Sequence, residues 1–173
     1  MAILTVSDGC FRGEREDKSG DLIAEWCGRL GYDLADRVVV PDESHEIVPR
    51  LVGWVDSGQV DAVLTTGGTG FSPRDVTPEA TRSVLDKEAP GLAEAMRQQG
   101  LPQAPTAVLS RGLTGSRGTT FIANMPGSPG GVRDGLLVLE EFLPHVVDLL
   151  HGHTAHDDAT EALGEEASPE DPS

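Results

Sequence analysis

The sequence predicts an α/β domain of three layers, a mostly parallel sheet with helices on both faces. Two observations carry that expectation. Short apolar runs of strand length alternate with segments whose apolar residues recur at helical spacing. Their order is strand, helix, strand, helix, strand, then a loop and more helices, the alternation from which parallel sheets are built. A chain of 173 residues can also bury one sizeable core without disulfides or a structural metal.

Taken in order, Ala2–Val6 is a short apolar run and a buried strand, and a polar loop runs from Ser7 to Ser19. Leu22, Ile23, Trp26, Cys27 and Leu30 repeat at helical spacing, with Gly31 placed for a C-terminal cap. Ala35–Val40 ends in three valines at Pro41 and reads as a second strand. Ile47, Leu51, Val52 and Val55 give a second helix with Ser44 as its N-cap, started late or kinked by Pro49. Asp61–Thr66 is a third strand that runs straight into Gly67-Gly68-Thr69-Gly70. Thr77 caps a helix, Pro78 takes its first position and Glu79 suits its dipole. That helix reaches about Asp86, and Leu92–Gln99 is helical again after Ala89-Pro90-Gly91. Ala107–Ser110 and Thr119–Asn124 read as strands, and Val132–Leu150 as a long closing helix despite Pro144.

The net charge is −16, from 29 acidic and 13 basic residues. It is unevenly spread: residues 1–65 carry −7, residues 66–135 carry +1 and residues 136–173 carry −10. An acidic balance of this size argues against a non-specific nucleic-acid binder and against docking on an anionic membrane. No apolar run is long enough for a bilayer span, and Met1–Asp8 lacks the basic flank and apolar stretch of a signal peptide. Cys10 and Cys27 have no CxxC spacing, so two reduced thiols and a cytoplasmic location are expected. The folded domain is expected over residues 1–152. Residues 153–173 are acidic and nearly free of aromatics, so a disordered tail is expected there.

Ligands of parallel sheets bind outside the carboxyl ends of the strands. Gly67, Gly68, Thr69 and Gly70 follow one such end, where glycines let backbone N–H groups approach an anion. The loop is neither a P-loop nor GxGxxG. Ser72–Pro78 adds Arg74, able to clamp a phosphate, and Asp75, able to hold a hard cation such as Mg²⁺. An Arg–Asp pair that pins the loop is the other reading of those two residues. Asn124–Gly131, with Pro126, Gly127 and Ser128, again joins a strand to a helix as an anion-binding turn would. Ser7 and Asp8, Asp42 and Glu43, and Ser110 and Arg111 follow other strand-like runs. Each could equally be a cap or a surface charge. His145, His151, His153 and His156 crowd the C-terminal end, and neither cysteine has a histidine beside it in sequence. No catalytic elbow or HExxH motif is present.

The string TTGGTGFSPRDVTPEAT (Thr65–Thr81), with VVPDE (Val39–Glu43) before it and NMPGSPGG (Asn124–Gly131) after it, resembles the MogA/MoaB family of molybdenum cofactor biosynthesis. LTVSD (Leu4–Asp8), DKSG (Asp17–Gly20) and APGLAEAMR (Ala89–Arg97) extend the resemblance over residues 2–150. It implies the molybdopterin-binding fold of that family, related to the N-terminal part of gephyrin, and a homotrimer. It implies a molybdopterin adenylyltransferase that joins ATP, its co-substrate, to molybdopterin with Mg²⁺ and releases pyrophosphate. A hand-over of the product to a molybdate-inserting enzyme would follow. A MoaB-like protein that binds molybdopterin without robust transfer is the alternative. By the same resemblance Asp42 and Asp75 are the catalytic and Mg²⁺-linked acids. Gly67–Gly70 and Pro126, Gly127 and Ser128 are the nucleotide turns. Ser7, Asp8, Asp17, Ser19, Gly20, Arg74 and Ser110 form the substrate side. The basic residue that the family carries after Ser-Asp is Gly9 here, followed by Cys10 and Phe11.

Overall fold

The computed structural model describes residues 1–153. The elements are β1 (Ala2–Val6), α1 (Asp8–Phe11), α2 (Lys18–Leu30), β2 (Asp36–Val40), α3 (Ser44–Asp56), β3 (Ala62–Thr66), α4 (Thr77–Arg82), β4 (Lys87–Glu88), α5 (Pro90–Gly100), a 3₁₀ turn (Pro105–Leu109), β5 (Thr114–Arg117), β6 (Thr120–Met125) and α6 (Pro129–Leu150). The expected tail lies, except for its first residue, outside the described residues.

Six strands form one sheet in the order β2-β1-β3-β6-β5-β4. β2, β1, β3 and β6 are parallel, whereas β5 and β4 are added antiparallel at one edge. β1 and β3 are buried along their whole length, as strands covered on both faces must be. Alternate side chains divide between two cores. Ile3, Leu64, Phe121, Ala123 and Met125 pack under α2, α5 and α6 with Ile23, Trp26, Met96, Val132, Leu136 and Leu139. Leu4, Val6, Val63 and Ile122 pack on the other face under α3 and α4, with Ile47, Leu51 and Ala80. The three-layer expectation therefore holds.

Several local expectations change. The loop from Ser7 to Ser19 contains α1 and the start of α2. Ser7 caps α1 by accepting from the Cys10 N–H, and Asp17 caps α2 by accepting from the Gly20 N–H. Ser44 and Thr77 are the first helical residues rather than the caps, which are Glu43 and Val76. Ala107–Ser110 is no strand. Pro105 starts a 3₁₀ turn there that packs on α5. β4 and β5 have little apolar signal, because a two-residue strand and the sequence Thr-Gly-Ser-Arg offer no hydrophobic alternation. Pro49 and Pro144 both sit on exposed helix faces, where water can satisfy the carbonyl that each leaves free.

The chain leaves β1 for β2 on one side and returns to place β3 on the other side of β1. The connections from β1 and β3 thus part in opposite directions and open a crevice at their carboxyl ends. Gly67 crosses that crevice. Its φ is +97°, and a Cβ there would stand 2.1 Å from the Val6 carbonyl oxygen. Gly67→Ala is therefore expected to cost about 2–4 kcal/mol, by forcing both strand ends apart. Gly28→Ala, at an exposed α2 position with nothing near its Cβ, should instead stabilise by about 0.5–1 kcal/mol. Urea unfolding of the two variants checks the contrast, and equal midpoints would contradict it.

Candidate active site

Four parallel strands deliver their C-terminal residues to one edge: Ser7 and Asp8 after β1, Asp42 after β2, Gly67–Gly70 after β3, and Pro126–Ser128 after β6. The two glycine-containing turns touch. A Cβ on Gly127 would lie 3.3 Å from Gly67 Cα, so neither position has room for a side chain without movement. Thr66 Oγ1 donates to the Pro126 carbonyl at 2.7 Å, and Ser19 Oγ donates to the Gly127 carbonyl at 2.9 Å. These bonds tie both turns to the start of α2. Together the turns form a ridge of backbone with a cavity on each side.

One cavity, of about 520 Å³, is lined by Ser7, Cys10, Arg15, Asp17, Lys18, Ser19, Asp42, Gly67, Gly68, Gly127 and Ser128. The N-termini of α2 and α6 open onto it, the latter capped by Ser128 accepting from the Gly131 N–H. Lys18 and Arg15 supply positive charge; Lys18 stands 3.7 Å from Glu16, which also lines the cavity, and Arg15 has no ion-pair partner among the described residues. Helix N-termini with such cations favour an anion. The other cavity, of about 560 Å³, is lined by Thr69, Gly70, Phe71, Met96, Arg97, Ala107, Leu109, Ser110, Asn124, Pro126 and Ser128, with Gln103 and Asp134 among its few other polar groups. It is the more apolar of the two and suits a flat ring system.

The acids lie along the glycine turn. The Asp8 N–H donates to Asp42 Oδ2 at 2.7 Å, and the Asp42 N–H returns to Asp8 Oδ1 at 3.2 Å. Burial raises the Asp42 carboxyl above its ordinary range. The Asp8 N–H bond works against this, and the charges of Asp8 and Asp75 add to it. Asp75 Oδ2 accepts from the Ser72 N–H at 2.7 Å and lies beside Gly70. Arg74 does not pair with Asp75. It holds Asp8 bidentately at 2.9 Å and Glu43 at 2.5 Å, and its hydrogen bond keeps the Asp8 carboxyl below its ordinary range. Asp17 is occupied as well, accepting from Thr5 Oγ1 at 2.8 Å and from Arg37 at 2.7 Å while capping α2. It shapes the cavity wall through α2, and Gly20 is buried behind it.

For Thr77 the sequence suggests only a cap. Its Oγ1 is a buried side-chain oxygen without a hydrogen-bond partner among the described residues. A Cβ on Gly68 would stand 2.3 Å from that oxygen and 3.2 Å from Asp42 Oδ1, so both oxygens flank one point of the turn. Arg111 reads in the sequence as a surface charge, yet its guanidinium joins the carbonyls of Gly70 and Asp75 to Glu79. No neighbouring sequence signal reveals that contact. Among the described residues no group of three His, Cys, Asp or Glu is arranged to cage a metal, His145, His151 and His153 included; His156 lies outside the described residues. Asp42, Asp75 and Thr77 instead offer hard oxygens on the same turn. This donor set fits a Mg²⁺ held by one or two carboxylates, with its remaining positions left to phosphate and water.

Because the carboxyl of Asp42 is raised, the folded state holds its proton more tightly than the unfolded chain does. Ionised Asp42 therefore lowers stability once the pH rises above the ordinary carboxylate range, and the loss vanishes below it. Asp42→Asn should match or exceed the wild-type melting temperature at pH 7, with the difference shrinking toward pH 4. A variant that melts lower at pH 7 would contradict the sign.

The comparisons with known proteins converge. The family model described as "Probable molybdopterin binding domain" matches residues 2–145. The molybdopterin adenylyltransferase of Helicobacter pylori J99 is 39% identical over 155 residues, covering 88% of each chain. The molybdenum cofactor synthesis protein cinnamon of Drosophila melanogaster is 41% identical over 151 residues, 87% of this chain, but the match spans only 25% of that longer protein. The crystal structure of the molybdopterin biosynthesis enzyme MoaB from Thermus thermophilus superposes with a TM-score of 0.82 at 50% identity, over 87% of this chain and 95% of that one.

Proposed function

The chain belongs to the molybdopterin-binding domain family, and from that premise we propose that it is a molybdopterin adenylyltransferase. The observation that carries the reading is the backbone ridge of Gly67–Gly70 and Pro126–Ser128, set between an anion-favouring cavity and an apolar one with Asp42 and Asp75 alongside. Such a site can hold two phosphate-bearing molecules end to end. The relatives named as molybdopterin adenylyltransferases support the choice of substrates.

In the proposed reaction, an oxygen of the terminal phosphate of molybdopterin attacks the α-phosphorus of ATP. The bond from that phosphorus to the β-phosphate bridging oxygen breaks, giving adenylyl-molybdopterin and pyrophosphate. The nucleophile is already an anion at neutral pH and needs no general base. The chain's task is positioning and charge neutralisation. Backbone N–H groups of the two turns and the α6 N-terminus receive phosphate oxygens, and Lys18 and Arg15 attract the pterin phosphate. Asp42, Asp75 and the Thr77 hydroxyl would hold Mg²⁺, which when bound neutralises phosphate charge. Arg74 keeps Asp8 and Glu43 neutralised beside them. Ser7 and Ser19 border the anion-favouring cavity, and Ser110 borders the apolar one.

We further read the protein as a cytoplasmic homotrimer that hands its product to a molybdate-inserting enzyme. No helix among the described residues is long and apolar enough to cross a membrane. An apolar groove at the far end of the sheet, lined by Leu92, Phe121, Phe142, Val146 and Leu150, supports self-association away from the site.

Incubation with molybdopterin, ATP and Mg²⁺ is expected to give adenylylated pterin and pyrophosphate in equal amounts. Asp42→Asn and Asp75→Asn should each cut turnover by about 10²-fold or more while the fold is kept. Pterin binding without any pyrophosphate would overturn the enzyme reading in favour of a binding protein. Light scattering should give three times the 18.2 kDa chain mass, and a monomer would remove the trimer.

A further inference from the structure

The loop that carries Arg74 and Asp75 is tethered at only a few points. Phe71, Ser72, Pro73 and Arg74 are exposed, and no strand or helix covers Gly70–Val76. Within the loop the Asp75 N–H donates to the Ser72 carbonyl at 2.8 Å, a local turn that does not fix where the loop sits. Two arginines fix it: Arg74, within the loop, pairs with Asp8 and Glu43, and Arg111 reaches it from a distant part of the chain. The Arg111 N–H donates to the Thr69 carbonyl at 2.9 Å. Its Nε donates to the Gly70 carbonyl at 2.6 Å, and its Nη2 donates to the Asp75 carbonyl at 2.7 Å. Nη1 pairs with Glu79 in the first turn of α4, and the guanidinium carbon lies 5.5 Å from the Phe71 ring centre.

One planar fork thus grips the loop at its start, at its end and at the helix that follows, with the Phe71 ring beside it. We propose that Arg111 is a positioning residue: it fixes the Gly70–Val76 loop so that Asp75 stays on the glycine turn beside Asp42. Its own guanidinium is committed to carbonyls and to Glu79, so it acts through Asp75 and not on substrate. Its side chain is three-quarters covered, 27% exposed, as a structural clamp requires. Burial works against the Glu79 carboxylate, but the Arg111 hydrogen bond, a backbone hydrogen bond and the charges of Arg111 and Arg82 together outweigh it and keep that carboxyl below its ordinary range, so the pair is charged at neutral pH. A lysine could neutralise Glu79 but could not reach two carbonyls in one plane, so the fork geometry and not the charge is the working feature.

This inference rests on the adenylyl-transfer reading for its catalytic consequence, while its structural part is testable without it. The experiment compares wild type, Arg111→Lys, Arg111→Met and the milder Glu79→Gln. Hydrogen exchange is measured over residues 70–76, 62–66 and 120–125, with Mn²⁺ binding in the absence of nucleotide followed by electron paramagnetic resonance. Steady-state kinetics with ATP and molybdopterin complete the set. Exchange over 70–76 should accelerate about 10-fold or more in both Arg111 variants with 62–66 and 120–125 unchanged, and Mn²⁺ affinity should fall about 10-fold. The kcat should fall about 10²-fold with the KM for ATP within about threefold, since a loop misplaced by about 1 Å costs that much. Glu79→Gln should move every readout in the same direction by less, and it carries the test if the Arg111 variants do not fold. Unchanged loop exchange and Mn²⁺ affinity would overturn the proposal, as would a lysine variant indistinguishable from wild type. If wild type transfers no adenylyl group, the functional reading fails, and the exchange and Mn²⁺ data still decide the role of Arg111.

Discussion

The close crossing of Gly67 over the end of β1 is the constraint on which the rest of the site depends. The backbone runs so near the Val6 carbonyl, at φ +97°, that only a residue without a Cβ can pass. That crossing lets the turn after β3 meet the turn after β6, where Gly127 lies close on the other side. The ends of the neighbouring strands β3 and β6 are thereby joined into one ridge of backbone. The ridge is built of glycines and small residues, so its backbone can be approached closely. It also separates a cavity walled by helix N-termini and basic residues from one walled by Phe71, Met96, Ala107 and Leu109. A wider crossing would merge the cavities and lose the point at which two phosphate-bearing molecules could meet.

Charge around that ridge is organised locally, against the balance of the whole chain. A net −16 is ill suited to holding two polyanions, but the segment from residue 66 to 135, which holds both turns, carries +1. Arg74 neutralises Asp8 and Glu43, Arg37 neutralises Asp17 and Asp21, and Arg111 neutralises Glu79. Asp42 is left with a carboxyl raised by burial and by the acids around it. A carboxylate that is poorly compensated in the free protein is one that gains most from a cation. The cost to stability and the capacity to recruit Mg²⁺ are two aspects of one arrangement.

The sequence makes legible what is encoded locally. β1, β2 and β3 show as apolar runs within a residue of their observed limits, and both glycine turns show because glycine and proline mark backbone geometry directly. The motif strings around Asp42, Asp75 and Ser128 carry the family likeness. Long-range contacts are what the sequence hides. β4 and β5 exist because β6 offers an edge to pair with, not because Lys87-Glu88 or Thr-Gly-Ser-Arg favour strands. Ala107–Ser110 has the composition of a strand, but Pro105 and packing on α5 make it a 3₁₀ turn. Arg74 and Asp75 are neighbours that suggest a pair, whereas Arg74 reaches 66 residues back to Asp8. Arg111 reaches 41 residues back to Gly70, and no spacing rule announces that. The positions of chemistry are readable, and the side chains that hold them in place are not.

Adenylyl transfer on the ridge, between the two cavities, is tested most directly by a crystal structure with Mg²⁺ and the α,β-methylene analogue of ATP. The expected result is an adenine ring in the cavity beside Phe71 and Met96, with the α-phosphate on the backbone of Gly67–Gly70 and Gly127 and its open face toward Lys18. Nucleotide bound with its α-phosphate away from that backbone, or seated in the groove beside Phe142, would contradict it.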